Sequence, residues 1–450
     1  MRIKILALFT LSISLGLNAQ QYSDSPFSAY GIGETGSLDH AVYGGMGGNS
    51  VALIDSVTVN YNNPSSYAFL GFGQPIFSTG ISSKFSTYSA NGEHANSRIF
   101  GIDHFVLAVP FQKYFGVAFG LKQFSRMGYN FIEEQILEDN SRMRYDYKGS
   151  GSTNEAFLGL SGKVLNTKKH QVGIGINAGY IFGSVNNTRY SFIYNEGAAT
   201  FPGGVDNQGI ALKSFHYDLG LTYQGKINEQ SSFIVGATFA PEQKLSGRLN
   251  NFFAYDYKNV YNESSYIVYS EDYTKGSVKM PSALGAGVTY IVNGKKREGK
   301  KNLSQWMISA EYKVSDYSRY NEWFENKTTL EPYGVYSKYG IGVQYTPHQF
   351  FLDRATTNSY VSKIRYRAGF QYSELPLKVN GRQTPELKYS VGFGFPLATQ
   401  RSSSCINVSF TYGTRENSAT VLQERFWGIN FGVSIAPGFA DRWFRKFKID

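Results

Sequence analysis

Long apolar runs are missing from this 450-residue chain. After residue 20 no stretch of about 18 apolar residues occurs, which excludes a transmembrane helix and leaves a soluble protein or a membrane β-barrel. Cysteine is nearly absent, and the sole one, Cys405, excludes an internal disulfide. Histidine is sparse. His40, His94, His104, His170, His216 and His348 are scattered without metal-ligand spacing, so neither a metal nor a cofactor is expected. Residues 20–73 contain no Lys or Arg at all, only the acids Asp24, Glu34, Asp39 and Asp55.

What the chain has instead is glycine and aromatics, with 48 Gly, 34 Tyr and 34 Phe, arranged with period two. In residues 421–435, Trp427, Ile429, Phe431, Val433 and Ile435 interleave with Gly428, Asn430, Gly432 and Ser434. In residues 170–186, Val172, Ile174, Ile176, Ala178, Tyr180 and Phe182 oppose Gly173, Gly175, Asn177 and Gly179. Fourteen such segments are expected, with cores at 75–88, 98–110, 114–126, 153–165, 170–186, 210–225, 231–244, 277–292, 303–316, 335–346, 361–373, 386–397, 403–413 and 421–435. A sandwich would hide its apolar face against a second sheet, whereas a sheet closed on itself can turn that face to lipid. The fold class expected is all-β, a 14-stranded antiparallel transmembrane β-barrel, and the aromatic surplus suits its interfacial girdles.

Residues 1–19 read as a signal peptide: Arg2 and Lys4, an apolar run from Ile5 to Leu17, then Asn18 and Ala19. Its removal lowers the net charge from +10 to +8, because those two bases are its only charged residues. Short connections (110–113, 166–169, 225–230 and 398–402) alternate with long ones (127–152, 187–209, 245–276 and 316–334). Short turns belong to the periplasm, which places both termini there. The domains expected are therefore the signal peptide, an N-terminal hatch at 20–73, the barrel at 74–436 and a basic tail at 437–450. The hatch does not alternate, and a fourteen-stranded barrel is too wide for its own side chains to fill, so the hatch is expected inside the lumen as a plug.

The hatch also carries a motif. His40, Ala41, Gly44, Gly45, Ala52, Asp55 and the run "NYNNPSS" from Asn60 to Ser66 resemble the N-terminal hatch of the FadL-like outer-membrane hydrophobic-compound transporters. The resemblance implies a fourteen-stranded, hatch-plugged barrel and spans the whole mature chain. Ser65 stands where that family usually has Ala, and the fourteen residues after Ala436 exceed its usual end. With the opening "SPFSAYGIGETG", this tail looks like the Bacteroidota branch. Within the motif, Pro64 fixes its own φ and biases Asn63 toward extended backbone, giving a rigid turn into the first strand. "GIGETG" (Gly31 to Gly36) spells a dinucleotide fingerprint but follows no strand and opens no helix, so it is set aside.

Parity places Lys122, His216, Asp218, Glu311, Lys313, Lys338, Arg365, Arg367 and Lys388 on the lumenal face, six Lys or Arg against two acids. Two readings follow. The bases lock the acidic hatch, since buried charges need partners, or some of them receive the carboxylate of an amphipathic ligand. His216 and Asp218 could orient a nucleophile, but no serine can be placed beside them, and no enzyme is expected. Outside the lumen, the aromatics of Asn251 to Tyr273 form an extracellular packing or docking surface. In the periplasm, "GKKREGKK" (Gly294 to Lys301) and Arg442, Trp443, Phe444, Arg445, Phe447 and Lys448 form basic clusters that suit docking.

The function expected first is an outer-membrane channel for uptake of hydrophobic or amphipathic, fatty-acid-like small molecules, the mechanism the resemblance implies. The alternative is a non-transporting accessory barrel of an outer-membrane protein assembly or secretion complex. Partners expected are membrane lipid and lipopolysaccharide, a hydrophobic small molecule, and other outer-membrane proteins met through the tail or the extracellular loops. Nucleic acid is not among them.

Overall fold

A computed structural model describes residues 25–36, 40–71, 75–111, 114–195, 198–199, 203–256, 266–294, 304–325, 327–329, 332–349, 359–397, 404–417 and 422–436. The signal peptide, the tail and "KKREGKK" lie outside them. Fourteen antiparallel strands form the barrel: β1 (Ile76–Ala90), β2 (Glu93–Phe111), β3 (Phe115–Ile136), β4 (Arg142–Asn166), β5 (His170–Asn195), β6 (Gly203–Lys226), β7 (Ser231–Ala240), β8 (Ala283–Asn293), β9 (Gln305–Asp316), β10 (Val335–Thr346), β11 (Arg365–Val379), β12 (Arg382–Pro396), β13 (Cys405–Glu416) and β14 (Gln423–Ile435). Each pairs with the next, and β14 pairs with β1 from Ile435 opposite Phe77 to Gln423 opposite Ser89. Closure leaves no free edge around the belt.

Side chains sort as the alternation requires. Leu158, Leu160, Ile174, Ile341 and Trp427 are exposed outward, while Asn177, Ser409 and Asn430 are buried inward. An apolar face of this extent is stable against hydrocarbon, where a closed sheet pairs its backbone groups between strands.

The long connections are not loops. β3 and β4 run on to Ile136 and Arg142, and β5 and β6 to Asn195 and Gly203; Gln243–Asp256 pairs with Ile267–Met280. The expected loops at 127–152, 187–209 and 245–276 are thus mostly strand, forming a crest at the end of the barrel opposite the start of β1 and the end of β14. The reason is an inversion of polarity. In the crest Ile181, Val185, Ile210, Leu212, Leu245, Leu249 and Val278 are buried inward, whereas Ser184, Lys244, Ser246 and Arg248 face out. On β3 a register shift between Gln123 and Ser125 brings Met127 and Tyr129 into the same core. Such shifts re-aim every following side chain.

Two breaks interrupt the wall. Pro241–Glu242 and Pro281–Ser282 separate β7 and β8 from their crest continuations while pairing persists on either side, at Ala240 opposite Ala283 and Gln243 opposite Met280. Proline cannot donate to the ladder, and on the edge away from β5, β6 has no ladder pairing between Leu212 and Leu219 among the described residues. Glu242 faces outward here, 2.9 Å from Lys279 and 3.9 Å from Arg319. Charges on a lipid-facing surface are costly, so this cluster marks where hydrocarbon ends. At the second break, β2 and β3 pair only from His104 opposite Lys122 to Phe111 opposite Phe115. Above that they part, and hatch residues Glu34 and Thr35 pair with Arg126 and Ser125 of β3.

Candidate functional site: the hatch and the lumen

The hatch is held against the wall by a short helix, a single helical turn and bonds at four levels. Ala41–Gly44 is helical, with the His40 side chain accepting from the Val42 amide (3.1 Å). Pro64–Phe69 forms a 3-10 helix with Pro64 in its first turn, and the Asn63 side chain caps it by accepting from the Ser65 amide (3.1 Å). This is the rigid turn expected from Asn63-Pro64. Asn63 also donates to the Val51 carbonyl (2.6 Å) and to the Thr222 hydroxyl (3.1 Å), joining two hatch segments to β6. The wall is smooth where the hatch lies on it. A Cβ at Gly175 would come within 2.5 Å of the Pro64 backbone, and one at Gly45 within 3.0 Å of Gly392.

At the end of the barrel where β1 begins and β14 ends, Asp55 pairs with Arg365 at 2.5 Å and accepts from the Val57 amide and the Thr58 hydroxyl, each at 3.1 Å. Burial pushes the Asp55 carboxyl upward, but Arg365, the Val57 amide and, more weakly, Arg367 outweigh it and hold it below its usual range. Arg367, 3 % exposed, donates to Gln344 (2.7 Å) and Asn407 (3.0 Å), while its Nη2 has no partner. One level up, Glu311 accepts from the Ser50 and Val51 amides at 2.6 and 2.7 Å and pairs with Lys338 and Lys313 at 3.2 Å. Lys338 also donates to the Gly48 carbonyl (2.6 Å) and Lys313 to the Ser50 hydroxyl (3.2 Å).

On the opposite wall Lys122 lies 3.4 Å from Glu155, and His216 Nδ1 lies 3.2 Å from it. Asp218 accepts from Asn177 (3.1 Å), whose carbonyl accepts from hatch Tyr67 (2.8 Å). Glu155, His216 and Asp218 are close enough to share a cation; Lys122 already brings positive charge to this pair of carboxylates. Toward the crest Glu34 pairs with Arg415 at 2.6 Å, and Arg415 also reaches Glu386 (2.6 Å) and Glu424 (3.2 Å). Lys388 lies 3.2 Å from Glu386, and Lys84 2.6 Å from Glu424. Burial raises Glu34, yet Arg415 and Lys84 hold it below the usual carboxylate range.

Each lumenal residue expected from parity therefore faces the lumen or the hatch, but the expected count of two wall acids is corrected. Glu155, Glu386 and Glu424 belong to the same face, as do Lys84 and Arg415. Parity itself identifies them: Glu424 shares its side with Gly428 and Asn430, and Glu155 stands opposite in sense to Leu158 and Leu160. Of the hatch acids, Glu34 and Asp55 bind the wall, and Asp24 and Asp39 lie outside the described residues. So do the docking candidates Arg442, Trp443, Phe444, Arg445 and Phe447.

Sequence spacing gave no sign of one cluster. His40 stacks on His104 with ring centroids 4.7 Å apart; Ser78 lies 2.8 Å from His104 Nε2, and Asp103 2.6 Å from its Nδ1. Tyr61 donates to Asp103 (3.0 Å). The connectivity is that of a nucleophilic triad, but Ser78 and His104 are each 1 % exposed and line neither lumenal cavity. It is a buried latch between hatch and wall. Those cavities flank the hatch. About 560 Å³ lies on its crest side among Phe27, Phe124, Lys84, Lys122, Tyr336 and Lys388, and about 210 Å³ lies at the opposite mouth, where β1 begins and β14 ends.

Closed sheet, outward grease and a bonded hatch define a plugged transmembrane β-barrel. The chain is similar in fold to crystal structures of the Pseudomonas putida toluene transporter TodX (16 % identity, TM-score 0.55, covering 93 % of this chain and 100 % of that one) and the Ralstonia pickettii toluene transporter TbuX (13 %, 0.53, 91 % and 99 %). No curated protein sequence matches it. A family model described as BamG matches residues 1–450, and the chain belongs to the BamG family.

Proposed function

We propose that the chain is a non-transporting accessory barrel of an outer-membrane protein assembly or secretion complex, exported by its signal peptide and set in the outer membrane with both termini in the periplasm. One observation carries this reading: the lumenal bases are spent on the hatch and the wall. Arg365 holds Asp55, Arg415 holds Glu34, Lys338 and Lys313 hold Glu311 and the Gly48–Ser50 backbone, Lys122 holds Glu155, and Lys388 holds Glu386. Buried pairs of this kind are strongly destabilised when one member is removed, so they fix the plug. The crest gives a barrel of this kind an extracellular surface beyond the membrane for contact with other proteins. Membership of the BamG family is compatible with this role, and no catalytic role is part of it.

A second reading, a channel for hydrophobic or amphipathic molecules, is favoured by the extracellular cavity and by the parting of β2 from β3 beside it. About 560 Å³ is within the range of ligand sites, roughly 300–1,000 Å³. Gentle extraction of the tagged barrel separates the two. Stoichiometric co-purification of other outer-membrane proteins, lost on deleting residues 438–450, supports the accessory barrel. A monomer that carries bound lipid-like molecules overturns it in favour of the channel.

A further inference from the structure

The outer face of the crest carries one sector of a single sign. Lys244 pairs across the ladder with Lys279, and Arg248 with Lys275, while Ser246 opposite Ser277 separates the two pairs. Leu245, Leu249 and Val278, of opposite parity, are buried, so all four cations stand outward. Lys213 joins them from β6, exposed and next to the buried Leu212. Residues directly opposite on neighbouring strands hold their Cβ atoms roughly 4.5–5.5 Å apart, and like charges there are destabilising. Nearby carboxylates do not relieve this. Glu242 takes Lys279 (2.9 Å) and Arg319 (3.9 Å), and among the described residues Lys213, Lys244, Arg248 and Lys275 have no ion pair. Arg144 and Arg189, elsewhere on the crest, do have carboxylates, Asp146 (2.7 Å) and Asp206 (3.2 Å).

The sector begins where hydrocarbon ends. On the belt side of the Pro241 and Pro281 breaks the outward residues Phe215, Tyr217, Phe239 and Leu284 are exposed and apolar or aromatic; on the other side come Lys244 and Lys279. Cations set just beyond such an edge meet lipid headgroups, whose anionic group is phosphate. We propose that this sector binds the phosphates of lipopolysaccharide, with the lipid A headgroup on Lys244, Lys279, Arg248 and Lys275 and its acyl chains on the belt at Phe215 and Phe239. The two cation pairs lie four residues apart along the strand, about 14 Å at roughly 3.4 Å per residue, which suits a disaccharide with a phosphate at each end. The assignment rests on the reading that both termini are periplasmic, which puts the crest on the side of the outer leaflet.

The test is titration of the mature chain in dodecyl maltoside with fluorescent bisphosphorylated lipid A and with the same lipid after its phosphates are removed. Saturable binding is expected, weakened about tenfold or more by loss of the phosphates and by the combined changes Lys244→Gln, Arg248→Gln and Lys275→Gln. A control set, Lys168→Gln, Lys169→Gln and Lys226→Gln, alters exposed bases at the opposite end and should bind as the parent chain does. Heat-modifiable gel mobility reports that each barrel is folded. Equal binding with and without phosphate, or equal loss in the two sets, overturns the inference. So does a crest set that keeps lipid A but loses a co-purifying protein, which assigns the sector to a protein partner. Labelling of Glu138→Cys at the crest tip by an impermeant maleimide on intact cells reads the orientation separately. An unlabelled tip overturns the reading on which the inference rests, whereas a labelled tip without phosphate-selective binding overturns the inference alone.

Discussion

The membrane belt and the crest are made from the same strands with opposite polarity. In the belt, β5 turns Ile174 and Ile176 outward and buries Asn177; a few residues on, the same strand buries Ile181 and Val185 and turns Ser184 out. The belt interior is polar because the hatch fills it with backbone and ion pairs. The crest interior is apolar: Leu212, Leu245, Leu249 and Val278 pack on Ile32 of the hatch and on Tyr320 and Phe324. One half is thus stabilised by lipid outside and charge inside, the other by an apolar core between its strands. Solvent, more than strand propensity, decides which face of each segment is greasy.

Removing the hatch should affect the belt most. Deleting residues 21–70 is expected to open a wide conductance in planar bilayers, and a closed barrel would mean that the hatch does not fill the lumen. Next comes Glu311→Ala, which strands Lys338, Lys313 and two hatch amides; breaking a buried pair costs about 3–5 kcal/mol, read as a large fall in unfolding midpoint and intermittent channel opening. Leu212→Ala should cost about 2–5 kcal/mol but only in the crest, so hydrogen exchange should accelerate in 203–212 and 243–256 while the belt stays protected. Leu160→Arg in the belt should cost about 2–4 kcal/mol in lipid. Ser246→Arg in the crest should change stability by less than about 0.5 kcal/mol; equal penalties would erase the distinction.

Acid should have the smallest effect. Asp55 and Glu34 are both held below their usual values, so their contribution is complete above about pH 4, the ordinary carboxylate range. It is lost only as pH falls through the depressed values. Conductance should stay closed from pH 8 to 5 and rise only below about pH 4.

The belt was legible from sequence because lipid imposes a strict alternation, and β10, expected at 335–346, has those bounds in the structure. The crest was not, because an outward-grease criterion takes Leu245 and Leu249 for loop residues. Pro241 and Pro281 fell inside expected strand cores, since pairing resumes on both sides of them. Parity placed Arg365 and Lys338 on the lumenal face, while composition put Asp55 and Glu34 in an acidic hatch. The match of Asp55 to Arg365 was beyond sequence, as was the stacking of His40 on His104, because both join segments remote along the chain.

The Glu34–Arg415 bridge spans nearly the whole polypeptide, with 381 positions between its ends. The hatch comes first along the chain, yet one of its anchors lies on the penultimate strand. Its docking is therefore coupled to the final zipping of β14 onto β1, and contacts so distant along the chain make assembly slow. A barrel intercepted before that seam forms should carry its N-terminal segment loose and open to protease.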